Sequence, residues 1–304
     1  MLPETGAGPA PPASAPPASA PPASAPPAAS GASRLAVRKT YKLFIGGAFP
    51  RSESGRTYLV HGTNVAAASR KDVRDAVVAA RAAATRWAGA TAYNRGQVLY
   101  RVAEMLEGRR AEFAALRRPP EEVAAAVDRW VWYAGWSDKI AQVYGSANPV
   151  AGPFFNLSTP EPTGVVGIVA PGDSPLLGLV SVVAPAIVTG NTAVVLAAEH
   201  DPLPAVTLAE VLATSDLPGG VVNILTGRVA ELAPWLASHA DVNALDLTGV
   251  TDATLATSLE RAAAGTLTRV TRPPVGSVDW FADPGTARLI SLLETKTVWH
   301  PTGA

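Results

Sequence analysis

The chain has 304 residues, 48% of them hydrophobic and 16% charged, with 25 Lys and Arg balancing 25 Asp and Glu. It contains no cysteine, which excludes disulfides and cysteine-built zinc or iron–sulfur centres. No Lys/Arg cluster suggests a nucleic-acid partner, and no apolar run reaches the ~18 residues that span a bilayer, so no membrane association and a cytoplasmic location are expected.

Residues 1–33 differ from the rest. APPAS runs three times, at 10–14, 15–19 and 20–24, and APPAA follows at 25–29. Such a Pro/Ala/Ser-rich segment offers few backbone donors and no large apolar side chains, so a disordered, polyproline-like tail is expected. The string LPETG (2–6) matches a sortase recognition sequence, which acts near a C-terminus ahead of an apolar segment; at this position it is read as coincidence. MLPETG has no basic n-region, and no apolar h-region follows, so a secretory signal is not expected.

YKLFIGGAF (41–49) predicts an opening hairpin. Ser69 with Asp72 forms a capping-box signature. Val73, Val77, Ala80, Ala84 and Trp87 then mark one face of an amphipathic helix. A second helix is expected to carry Val98, Val102, Met105, Leu106, Phe113 and Leu116 and to end at Pro119-Pro120. A third starts near Glu121 and bears Trp130, Trp132, Tyr133 and Trp136, read as packing aromatics rather than a ligand platform.

From Gly164 the pattern alternates. Apolar runs at 164–170, 192–196, 221–225, 243–247 and 268–271 predict strands. Helices are predicted from Ser174-Pro175 to Gly190, after an Asp201-Pro202 cap, and over 229–238 and 253–264. Strand–helix alternation at these lengths predicts an α/β fold, a Rossmann-like parallel sheet with flanking helices.

The strings EPTGVVGIVAP (161–171), APAIVTGNTAVV (184–195), LPGGVVNILTG (217–227) and ASHADVNALDLTG (237–249) resemble the cofactor-binding half of NAD(P)-dependent aldehyde dehydrogenases. The resemblance covers roughly 41–272 and 288–300. It implies a cofactor-type domain over 34–272, with an oligomerisation hairpin arm at 146–164. Residues 273–304 become a short remnant ending in a C-terminal strand, LETKTVW (293–299), that pairs with a neighbouring subunit. Only a short connection joins Gly276 to Ala287, where the family's thiol-bearing catalytic domain belongs.

Position by position, the resemblance also implies losses. The family's oxyanion-stabilising asparagine is matched by Asp173, which as an ionised group only accepts hydrogen bonds; it is read as part of an Asp-Ser-Pro helix start. The ribose-binding lysine is matched by Leu196, whereas Glu199 persists three residues on. Gly227 remains in the glycine-rich turn, but the next two glycine positions hold Val229 and Ala233, whose side chains narrow the approach. Thr248 and Gly249 persist, and the serine and glycine that follow in the family are Val250 and Thr254. Pro273 stands where the general-base glutamate belongs. Neither His61, His200, His239 and His300 nor the serines form a metal-ligand or nucleophile-elbow spacing, so no metal site is expected.

No catalytic residue is therefore assigned. Glu199, Gly227, Thr248 and Gly249 are vestigial cofactor contacts, leaving at most weak affinity for NAD or NADP. The expected role is a catalytically inactive subunit that associates with a full-length aldehyde dehydrogenase as a hetero-oligomer, or with itself. The alternative is a family oxidoreductase with residual cofactor binding.

Overall fold

The computed structural model describes residues 39–303 and, apart from these, Gly8; the tail expected over 1–33 otherwise lies outside the described residues. Strands β1 (Thr40–Tyr41), β2 (Thr57–Val60) and β3 (Thr63–Ala66) form a small sheet ordered β1-β3-β2. Helices α1 (Arg70–Ala88), α2 (Ala92–Glu107), α3 (Arg110–Ala115), α4 (Pro120–Trp136) and α5 (Ile140–Tyr144) follow. Strands β4 (Ser146–Asn148) and β5 (Phe154–Pro162) form the arm.

The α/β series comes next: β6 (Val165–Val169), α6 (Leu177–Val188), β7 (Thr192–Leu196), α7 (Leu203–Leu212) and β8 (Val222–Leu225). It continues with α8 (Val229–Ala237), β9 (Ala244–Asp246), α9 (Ala253–Ala264) and β10 (Arg269–Thr271). Helix α10 (Ala287–Ser291) and strand β11 (Leu293–Pro301) close the described chain.

β6 to β10 form one parallel sheet ordered β10-β9-β6-β7-β8. Every residue of β6 and β7 is buried, as a sheet covered on both faces requires. One face carries α6, which is buried on all sides and therefore apolar all round its axis. α4 packs outside it, where Trp130 and Tyr133 are fully buried. Val73, Ala76, Val77 and Ala80 of α1 join α8 and α9 in the core on the other face. The Trp87 indole donates to the Ile187 carbonyl at 2.8 Å, tying α1 to the end of α6.

The strand order reverses between β6 and β9, and the crevice beyond the carboxyl ends at such a point is the position at which open α/β sheets bind ligands.

Several expectations need correction. The second helix breaks at Gly108-Arg109 into α2 and α3, and Pro120 opens α4 at a position where its missing N–H costs nothing. Asp201 does not cap α7; it pairs with Arg118 at 2.9 Å, while Pro202 precedes the helix without a side-chain cap. α6 starts at Leu177, with Ser174 Oγ accepting from Gly178 N at 2.9 Å. In 41–49 a turn brings Ile45 against Ala48, but Tyr41 runs parallel to β3 and Phe44 bridges Ile224 of β8. Within the chain the C-terminal strand β11 also pairs antiparallel with β5, from Leu293↔Pro162 to Pro301↔Phe154, as the edge strand of a sheet ordered β11-β5-β4.

Candidate functional site

The residues singled out in the sequence all lie just past the carboxyl ends of strands. Glu199 follows β7, Gly227 follows β8, and Thr248 and Gly249 follow β9. The sheet order separates them into two groups on either side of β6, and each group is already bonded within the protein.

On the β7–β8 side, Glu199 Oε2 accepts from Val229 N at 3.1 Å and so caps the first turn of α8. Leu196 is 1% exposed and offers no polar atom. Gly227 has φ +147°, and a Cβ there would stand 3.0 Å from Leu232 Cδ1 and 3.3 Å from Ala68 N. Its glycine is demanded by backbone conformation and by the neighbouring 67–68 segment. Among the described residues, the buried Tyr58 hydroxyl has no hydrogen-bond partner. Burial, followed by the charge of Glu199, holds its pKa well above that of an ordinary phenol, and the Gly227 backbone offsets this in part.

On the β9 side, Asp246 is 4% exposed and accepts from Thr248 N at 2.8 Å and from the Thr248 hydroxyl. Arg288 Nη1 reaches Asp246 Oδ2 at 2.9 Å and Thr248 Oγ1 at 3.2 Å. Gly249 N donates to Val169 O at 3.0 Å. A side chain at Gly249 would collide with the Ala170 carbonyl, so this glycine too is fixed by close approach of backbone to backbone. α9 is capped by Asp252, which accepts from Thr254 N at 2.8 Å and Leu255 N at 3.2 Å.

Beyond β6, Asp173 is exposed at the turn and accepts from the Trp280 indole at 3.1 Å. Its role at the helix start therefore passes to Ser174 and to Glu122, which reaches in from α4 and accepts from Leu176 N at 3.3 Å and Leu177 N at 3.2 Å.

Three helix starts, those of α6, α8 and α9, thus already hold a protein carboxylate. A dinucleotide's phosphates seek such N–H groups, and here they would meet bonded donors and like charge. Leu196 offers no side-chain donor to a ribose. Two surface hollows lie elsewhere. One of ≈ 560 Å³ involves Gly46, Trp87 and Gly219, and one of ≈ 330 Å³ involves Arg70, Trp235 and His239. Among the described residues, no group of His, Asp and Glu is arranged to hold a metal, and no helix is long and apolar enough to cross a membrane.

Tyr58, Glu122, Trp280 and Arg288 escaped the sequence reading. Glu122, Trp280 and Arg288 each bond to a residue far along the chain, Tyr58 is marked only by its burial, and none leaves a local spacing to detect. Asp252 alone had a local signal, an acidic residue directly before a predicted helix.

Comparison with known proteins agrees with this architecture. The sequence model of the aldehyde dehydrogenase family matches residues 60–272. Cytosolic 10-formyltetrahydrofolate dehydrogenase of Mus musculus is 34% identical over 242 residues, which is 72% of this chain and 26% of that protein. Mitochondrial aldehyde dehydrogenase of Rattus norvegicus is 36% identical over 201 residues, 62% of this chain and 38% of that protein. Among solved structures, the NAD+ complex of aldehyde dehydrogenase from Bacillus cereus superimposes with a TM-score of 0.70 at 29% identity, covering 76% of this chain and 50% of that one. The NAD-dependent aldehyde dehydrogenase of Sinorhizobium meliloti gives 0.72 at 28% identity, covering 79% and 51%. This chain spans about half or less of the length of these relatives. With the family's sheet, helices and arm in place, the chain belongs to the aldehyde dehydrogenase family.

Proposed function

We propose that the chain is a non-catalytic member of its family, a subunit that associates with a full-length aldehyde dehydrogenase, or with copies of itself, in a structural or regulatory role. The observation that carries this reading is the internal satisfaction of the crevice. Glu122, Glu199 and Asp252 occupy the helix starts, and Arg288 holds Asp246 and Thr248. The chemistry points the same way. The chain has no thiol to attack an aldehyde, and Asp173 already accepts from Trp280. Eliminating a catalytic nucleophile alone costs on the order of 10⁶ in turnover. Among the described residues, β11 and β4 are the outer strands of the β11-β5-β4 sheet and Phe154, Phe155 and Trp299 are exposed, features suited to contact with another subunit.

A tagged pull-down from the native host, with the complex sized and its components identified by mass spectrometry, tests the proposal. Recovery of a full-length aldehyde dehydrogenase in fixed ratio, or of a defined homo-oligomer, is expected; a monomer with no such partner contradicts it. The second reading, residual NAD or NADP binding, draws on the Rossmann-like strand order and on the relative solved with NAD+. It requires saturable dinucleotide binding by the isolated chain.

A further inference from the structure

The crevice beyond β6 and β9 is bridged by a stretch of the chain that lies well away from it in sequence. We infer that residues 278–292 form an intramolecular plug of this crevice, gripping one wall through Trp280 and the other through Arg288.

The grip on the β6 side is the Trp280 indole on Asp173, 3.1 Å long, and that on the β9 side is Arg288 on Asp246 and Thr248, at 2.9 and 3.2 Å. The two gripping residues also face each other, with the Arg288 guanidinium carbon 5.8 Å from the Trp280 ring centre. Arg129 of α4 anchors the segment from beneath. Its guanidinium donates to the carbonyls of Trp280 at 2.8 Å and Ala282 at 3.0 Å and to Ser181 of α6 at 2.7 Å. Trp280 is 7% exposed, and Leu289 and Leu292 are buried in the core shared by α4 and α6.

The segment uses little regular structure, a five-residue helix in all, so side-chain anchors on both walls hold it in place. Because they lie on opposite walls, the anchors should release together. Breaking one should loosen the other, which independent surface bonds would not do. The plug acts within a single chain, so its existence does not depend on whether the protein associates with another subunit.

Hydrogen exchange by NMR on the full chain tests the plug. Its two reporters are the Trp280 indole N–H on Asp173 and the backbone N–H of Thr248 on Asp246. In the wild-type protein both should show the same protection, lower than that of the β7 amides, because one local opening exposes both. Arg288→Gln should accelerate both by at least about tenfold while the amides of Ala193–Leu196 stay protected. Acceleration of Thr248 alone, with the Trp280 indole unchanged, would overturn the plug and leave Arg288 as a local partner of Asp246. Should Arg288→Gln also expose β7, the wild-type comparison decides: unequal protection of the two reporters, or protection equal to that of β7, likewise refutes a separately opening segment.

Discussion

Asp246 is nearly inaccessible and its charge is balanced by one guanidinium, that of Arg288, itself a quarter exposed at its side chain. Removing one partner of a buried ion pair leaves the other charge stranded, which costs far more than the net worth of the pair. Discounted for the exposure of Arg288, Arg288→Ala should lower unfolding stability by roughly 2–3 kcal/mol. Asp246→Asn combined with Arg288→Gln should lose less than the sum of the two single changes, as denaturant melts of all three variants would show. Tyr133 offers a contrary case. Its hydroxyl is buried without a partner among the described residues, and burial pushes its pKa up to about 12, with Arg129 and Arg288 pulling the other way. The unfolded chain ionises this phenol near pH ~10 while the native state still holds the proton, so stability present below ~10 is lost as pH rises toward 12. Tyr133→Phe should therefore leave stability at neutral pH unchanged or higher. Urea melts at pH 8 and 11 should also show a shallower alkaline loss, with Tyr58 accounting for part of what remains. Arg288 leaves no local signal in the sequence and Tyr133 reads there only as a packing aromatic, because burial and a partner 42 residues away are tertiary facts. Glu199, Gly227, Thr248 and Gly249 were found in the sequence at the correct strand ends, but their bonds to Val229, Asp246 and Val169 were not.

Elements whose boundaries are set by local chemistry were legible. Helix α9 runs over 253–264 as predicted because Asp252 supplies two acceptor bonds at its start, and β7 coincides with TAVVL because its residues are all buried. Asp252→Ala should cost about 1 kcal/mol and loosen the first turn of α9, readable as faster exchange at Thr254 and Leu255. If those amides keep full protection, the cap contributes nothing. Illegible were the features set by distant contacts. The helical periodicity carried across Gly108 without showing that Arg109 starts a new segment, and a strand such as β11 looks the same whether its partner is β5 or another molecule. Within the chain β11 pairs with β5 and stands at the edge of the three-stranded sheet, so its other edge and the exposed aromatics are the places where association with another subunit is expected.

For the molecule as a whole, a family fold is retained over about half or less of the relatives' length. The parallel sheet, the buried α6 and the arm follow the family's plan. Beyond the carboxyl ends of the sheet, three helix starts hold protein carboxylates, and Trp280 and Arg288 bond to Asp173 and Asp246. Restoring a single family residue, such as a lysine at Leu196, should therefore not restore dinucleotide binding. The most direct measurement of this closure is isothermal titration of the purified full chain with NAD+ and with NADP+. No saturable heat up to about 1 mM, a binding free energy weaker than about −4 kcal/mol, is the predicted result. Saturable one-site binding well below that concentration would mean that the crevice opens to a dinucleotide, and it would contradict the reading of this chain as a non-catalytic subunit.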